Sequence, residues 1–167
     1  MNRSDQVRRI QVDSVSLEGQ LNIPTGALGL VLFAHGTGSS RLSPRNSFVA
    51  ERLRERGLGT LLFDLLTEEE ERSYENRFDI QRITRRMEEA TRWVREQEEA
   101  RDLPIGYFGA STGSAAALKA VADRSAGPIA AVVSRGGRPD MVLADLPRVQ
   151  APTLLIVGGR DLQVLEL

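Results

Sequence analysis

Five short apolar runs, each closed by glycine or an acidic residue, limit what this sequence can fold into more than any other feature. They read "ALGLVLFAHG", "GLGTLLFDLL", "LPIGYFG", "IAAVVSRGG" and "APTLLIVGGRD". A strand apolar at successive positions has no face to offer water, so such runs belong to the buried strands of a parallel sheet covered by helices. Upstream, "VSLEGQLNIP" alternates Val15, Leu17, Leu21 and Ile23 with polar neighbours, and Ile10 and Val12 precede it at the same period. That alternation predicts an antiparallel pair of strands at the sheet edge.

Helical signals lie between the runs. Ser43 and Pro44 suit the cap and first turn of a helix that carries Phe48, Val49 and Leu53 inward and stops at Gly57. Ile80, Ile83, Met87, Ala90 and Val94 repeat at helical spacing and predict a helix from about residue 77 to 98 with one apolar stripe. The acidic stretch "TEEEERSYENR", residues 67 to 77, reads as a solvated loop, because its consecutive acids do not converge by any regular spacing. The alternation of strand and helix predicts a doubly wound, mostly parallel α/β sheet flanked by helices. Its ligand sites would lie at the carboxyl ends of the strands.

Composition narrows the function classes. The 167 residues, 41% of them hydrophobic, suit a single domain over residues 1-167. A net charge of -1 offers no broad basic surface for nucleic acid or membrane. With no cysteine there are no disulfides, thiolate metal sites or cysteine nucleophile, which agrees with a cytoplasmic setting. No apolar run reaches the roughly 18 residues of a bilayer span, and "MNRSDQVRRI" has charge without a following apolar segment, unlike a secretory leader. No metal and no cofactor is expected.

The chemistry gathers in "GYFGASTGSAAAL", where Gly109-Ala110-Ser111-Thr112-Gly113 matches G-x-S-x-G between an apolar strand and a helix of small residues. That context is what a nucleophile elbow needs: a tight turn lifts the serine hydroxyl above the sheet, and the helix start offers N–H groups to developing negative charge. Ser111 is the nucleophile on this reading and Thr112 supplies one oxyanion N–H; a helix-capping serine is the alternative. In "LVLFAHGTGSSR" the strand ends in His35-Gly36-Thr37-Gly38, where Thr37, or else Gly38, is placed to donate a second N–H. That loop lacks the G-K-[ST] and G-x-G-x-x-G patterns of phosphate cradles. His35 is expected to be held by the loop beneath the site and not to act as the base. Asp161, after the last run, is placed to orient an imidazole, or else to cap a turn. Asp64, after the second run, is expected to hydrogen-bond within a loop.

Taken in order, "FAHGTGSSRLSPRN", "LLFDLLTEEEE", "FGASTGSAAAL", "SRGGRPD" and "TLLIVGGRD" resemble segments of the α/β-hydrolase superfamily, and more narrowly of its small, lidless dienelactone-hydrolase-like members. The resemblance implies hydrolysis of a small-molecule carboxyl ester or lactone through an acyl-enzyme, with Ser111 as nucleophile and Asp161 as the acid. Arg41 and Asn46, in the loop beside the site, would contact substrate or brace the loop. Dienelactone hydrolases proper carry cysteine at the elbow, so their substrate does not carry over to a serine. The short segment from Ser134 to Gln150, where many members insert a lid, suggests an open site and a small soluble substrate.

One departure matters. The family's histidine follows a further strand beyond the acid, whereas this sequence ends at "LQVLEL" and holds no histidine other than His35. The expectation is a C-terminally incomplete domain, lacking the last strand and helix, impaired in hydrolysis and prone to self-association through its exposed C-terminal sheet region. The alternatives are a non-catalytic, hydrolase-like ligand-binding or scaffold protein, and an assembly in which another chain supplies the histidine.

Overall fold

The computed structural model describes residues 7–167, so the charged residues 1–6 considered above lie outside it. The alternating N-terminal residues form β1 (Val7–Val12) and β2 (Val15–Asn22), an antiparallel pair that turns through Asp13 at φ 47°. The five apolar runs supply β3 (Gly29–Ala34), β4 (Leu58–Phe63), β5 (Ile105–Ala110), β6 (Ala131–Arg135) and β7 (Thr153–Ile156). All seven strands join one sheet in the order β1-β2-β4-β3-β5-β6-β7. β3 to β7 run parallel, while β2 pairs antiparallel with β4 and puts the N-terminal hairpin at one edge.

Helices connect the parallel strands. Ser43 caps α1 (Pro44–Glu55) by accepting the Asn46 N–H, and Pro44 fills the first turn, where a missing N–H costs nothing. Asp79 caps α4 (Ile80–Glu96) by accepting the Arg82 N–H. α5 (Thr112–Asp123) follows β5 directly, and a last short turn, α6 (Leu162–Leu165), follows β7. Segment 134–150 holds two 3-10 turns, Pro139–Val142 and Leu146–Arg148, and no lid.

Two expectations change. The stretch from residue 67 to 77 is not a plain loop: it forms two helical turns, α2 (Glu68–Glu71) and α3 (Tyr74–Arg77). Thr67 and Glu70 make a reciprocal capping box, and the Glu70 carboxylate also receives Arg86 at 2.9 Å, stapling the segment to α4. On α1, Phe48 points to solvent beneath the Arg52 guanidinium, while Asn46 and Ala50 are the buried positions. Residues 46, 50 and 53 share the inward face at spacings of four and three, and 48 falls outside that arc. In the C-terminal sheet region expected to be exposed, β7 is exposed at every residue and pairs with β6 at the end of the strand order.

The two faces of the sheet are unequally covered. Leu30, Leu32 and Ala34 of β3 face the main core, built with α4 and α5. Phe33, Leu62 and Phe108 face a small cluster under α1. α4 buries more than its apolar stripe: Thr91 bonds the Tyr107 hydroxyl at 2.7 Å, and Arg86 donates to the Val12 carbonyl at 3.2 Å.

Two glycines let α5 sit on the sheet. A Cβ on Gly113 would stand 2.2 Å from the Ala34 carbonyl oxygen, and one on Gly109 would stand 2.4 Å from Ser114 Cα. Both distances are inside van der Waals contact with backbone that cannot rotate away. Gly113→Ala should therefore lower the unfolding free energy by about 3 kcal/mol or more in urea denaturation. Gly106→Ala, on the same strand as Gly109 and with its nearest contact at 3.3 Å, should change it far less.

Candidate functional site

The carboxyl ends of β3, β5, β6 and β7 lie in register along one edge, where Ala34 pairs with Gly109, Ala110 with Arg135 and Arg135 with Ile156. Ser111 is the first residue past β5 on that edge. Its backbone is held at φ 52°, ψ -126°, a region that costs an L-residue on the order of 1–3 kcal/mol and persists only where the surroundings over-determine it. Two hydrogen bonds do this. The Ser111 N–H donates to the Arg135 carbonyl at 3.3 Å, and its carbonyl accepts the Ser114 N–H at 3.0 Å. Behind the turn, the buried hydroxyls of Ser114 and Ser134 meet at 2.7 Å and tie the first turn of α5 to β6.

Ser111 stands at the N-cap of α5 but makes no capping bond with its side chain, and the residue is exposed. The hydroxyl is not spent on helix capping. Thr112 opens the helix, so its N–H has no partner within α5 and lies at the positive end of the helix dipole. The His35–Gly36 strand end presses against the elbow; a Cβ on Gly36 would stand 3.0 Å from Ser111 Cβ. Thr37 comes next, with its N–H donated to Thr112 Oγ1 at 3.0 Å. The two predicted oxyanion donors are thus neighbours, and the Thr37 amide already has an internal acceptor.

His35 is buried and fully engaged. Its Nδ1 lies 3.0 Å from the Gly36 carbonyl oxygen, which only accepts, and its Nε2 accepts the Leu65 N–H at 3.1 Å. The ring is therefore the neutral tautomer protonated on Nδ1. Burial pushes its pKa below the ordinary value, against smaller opposing effects from the Gly36 carbonyl, Asp64 and Glu71. With both nitrogens committed, this imidazole has none left to take a proton from Ser111.

Arg41 braces the loop. Its backbone N–H and Nη1 donate to the Asp64 carboxylate at 2.8 and 2.9 Å, and Nη2 donates to Glu18. Asp64 accordingly works as a loop anchor. Asn46 sits in the first turn of α1, buried, with its Oδ1 lacking a hydrogen-bond partner. Asp161 is exposed beyond β7 and caps α6, accepting the Val164 N–H at 3.4 Å.

The structure adds residues that the sequence pattern did not single out. A cleft of about 10 Å³, the space of one water, opens beside Thr37 and Thr112, floored by Leu65, Leu66 and Ile83 and rimmed by Glu71 and Arg77. Arg77 Nε donates to the Glu71 carbonyl at 2.6 Å, and its own carbonyl accepts the Thr37 hydroxyl at 3.1 Å. The T-x-x-E signature of Thr67 and Glu70 was the available signal that this segment is folded.

A family model described as an alpha/beta hydrolase domain matches residues 27–163. The chain belongs to the α/β-hydrolase family. This hydrolase chain is similar to a dienelactone hydrolase of Anabaena variabilis, 53% identical with a TM-score of 0.91 over 98% of this chain and 78% of that one. It is also 53% identical, over 98% of its length, to a Mycobacterium tuberculosis H37Rv protein named "Putative phosphoribosyl transferase". It spans 37% of the length of that relative. An esterase of Pyrococcus furiosus shares the fold, with 17% identity and a TM-score of 0.72 over 95% of this chain and 75% of that one. Among the described residues no helix is long and apolar enough to cross a membrane.

Two measurements probe the site's energetics. Ser111→Gly should raise the unfolding free energy by about 1 kcal/mol in urea denaturation, by relieving the positive φ. His35 governs the response to acid. Below its ordinary pKa of 6.5 the unfolded chain binds a proton that the folded chain refuses, so stability is full above that pH and is lost as pH falls toward the depressed folded value. The urea midpoint should drop between about pH 7.5 and pH 5.5, and His35→Gln should flatten that change.

Proposed function

We propose that this chain carries the nucleophile and oxyanion site of a serine hydrolase acting on carboxyl esters or lactones through an acyl-enzyme. The observation that carries the reading is Ser111 itself: a strained, exposed N-cap serine whose hydroxyl is not spent on capping the helix it opens. Strain of this kind, held at the mouth of a helix on the carboxyl edge of a sheet, is what a pre-organised nucleophile requires.

In the proposed reaction, Ser111 Oγ bonds to the substrate carbonyl carbon as its proton passes to an imidazole. The oxygen that becomes negative is met by the Thr112 N–H at the helix start and by the Thr37 N–H beside it. Collapse releases the alcohol with that proton and leaves an acyl-serine, and water then repeats the sequence in reverse roles. Asp161, at the end of the strand two along from β5, is assigned to orient the imidazole and gives up its cap on α6 to do so. Because His35 is fully engaged, the imidazole is assigned to a histidine outside these 167 residues, from the same polypeptide or from another. Arg41 and Asp64 keep the oxyanion loop in place, and Arg41 is given no contact with substrate.

The open edge without a lid favours a small, soluble ester or lactone, in a cytoplasmic setting. The longer mycobacterial relatives are named for phosphoribosyl transfer; our reading gives this segment the hydrolase part of such a polypeptide. A second reading, a non-catalytic ligand-binding protein, is favoured by the one engaged histidine.

A fluorophosphonate probe separates the two readings. The chain expressed with its downstream coding sequence should be labelled at one site, and Ser111→Ala should abolish that label. The 167-residue chain alone should label far more slowly, since loss of the base removes most of the rate while an oxyanion site retains roughly a thousandfold over water. Labelling that survives Ser111→Ala would sink the assignment, and no labelling in any form would favour the binding protein.

A further inference from the structure

The hydroxyl of Thr112 has no role in the reaction above, which uses only that residue's amide, yet it lies at the centre of a small closed network. Three contacts define it: Thr37 N–H to Thr112 Oγ1 at 3.0 Å, Thr37 Oγ1 to Thr112 Oγ1 at 2.9 Å, and Thr37 Oγ1 to the Arg77 carbonyl at 3.1 Å. Counting protons fixes every direction. A carbonyl only accepts, so the one proton of the Thr37 hydroxyl goes to Arg77. The Thr112 hydroxyl must then donate to Thr37 Oγ1, and its lone pair takes the Thr37 N–H.

The result is a ring in which a single side chain both accepts from and donates to the same neighbouring residue. Thr112 is buried and follows Ser111 directly, so the ring fixes the direction of the Thr37 N–H one residue from the nucleophile. An amide with a loose loop on either side would otherwise turn toward water. The same ring reaches the helical segment from Thr67 to Arg77 through the Arg77 carbonyl.

From this geometry we propose that the Thr112 side chain is a positioning residue of the oxyanion site, aiming the Thr37 amide at the place where charge develops beside Ser111. The inference rests on the hydrolase reading for its catalytic consequence; that Thr112 fixes the direction of the Thr37 amide stands on the three contacts. An oxyanion arriving beside the Thr112 amide shares the Thr37 N–H with Thr112 Oγ1, and the hydroxyl ring keeps the loop from moving as it does so. Valine at this position would keep the shape and lose the ring. Serine would keep the ring and lose only a methyl.

Amide hydrogen exchange and kinetics test this together. In the labelled 167-residue chain, Thr112→Val should cut the protection of the Thr37 amide about tenfold, while Thr112→Ser retains it. Protection in β3 and β5 should not change. Equal Thr37 protection in Thr112→Val and the unaltered chain overturns the inference, and so does a loss spread evenly over β3 and β5, which would mark Thr112 as a packing residue. In the chain with its downstream coding sequence, Thr112→Val should lower kcat for p-nitrophenyl acetate about tenfold with KM nearly unchanged, and Thr112→Ser should restore it. A rise in kcat overturns the inference, because Thr112 Oγ1 would then be competing with the oxyanion for the amide. Absence of hydrolysis in the unaltered long form counts against the hydrolase reading alone, and the exchange result still decides the aiming of the amide.

Discussion

The approach of α5 to the end of β3 is the constraint on which the site depends. Gly113 lets the first turn of that helix rest against the Ala34 and His35 carbonyls, closer than any side chain would permit. Because the helix sits so low, the turn leading into it is too short for relaxed geometry, and Ser111 takes up the difference with a positive φ. The same closeness brings Thr112 within reach of Thr37 on the facing strand end. The missing Cβ atoms of Gly109 and Gly113 therefore allow the close approach in which Ser111 takes its positive φ and Thr112 meets Thr37.

Around that contact the polar groups are arranged to hold and not to react. Arg41 ties its loop to Asp64 and Glu18, His35 is pinned between Gly36 and Leu65, and Ser114 meets Ser134 behind the elbow. Each of these hydrogen bonds offsets the cost of taking polar groups out of water around the site. Ser111, by contrast, makes no capping bond with its side chain.

Much of the fold was legible in the sequence because burial on both faces leaves a plain signature. Continuous apolar runs gave the parallel strands, alternation gave the edge hairpin, and the spacing of Ile83, Met87, Ala90 and Val94 gave α4. The misreadings have a common cause. Phe48 looked like a core residue because it is large and apolar, but its angle on the helix and not its chemistry decides where it points. The acidic segment looked like a loop because charge was read ahead of its capping box.

For the site, the sequence by itself determined which residues stand at the elbow, that a strand precedes them and a helix follows, and that the only histidine ends a strand. Those are local facts, fixed by residue type and order along a few neighbours. Only the tertiary structure decided that Ser111 leaves its hydroxyl uncommitted, that both His35 nitrogens are taken, and that Thr37, Thr112 and Arg77 close a ring. The Leu65 contact of His35 and the ring of Thr37, Thr112 and Arg77 join residues far apart in the chain, and a hydrogen bond's direction follows from the distance and donor count of partners that meet only when the sheet is assembled.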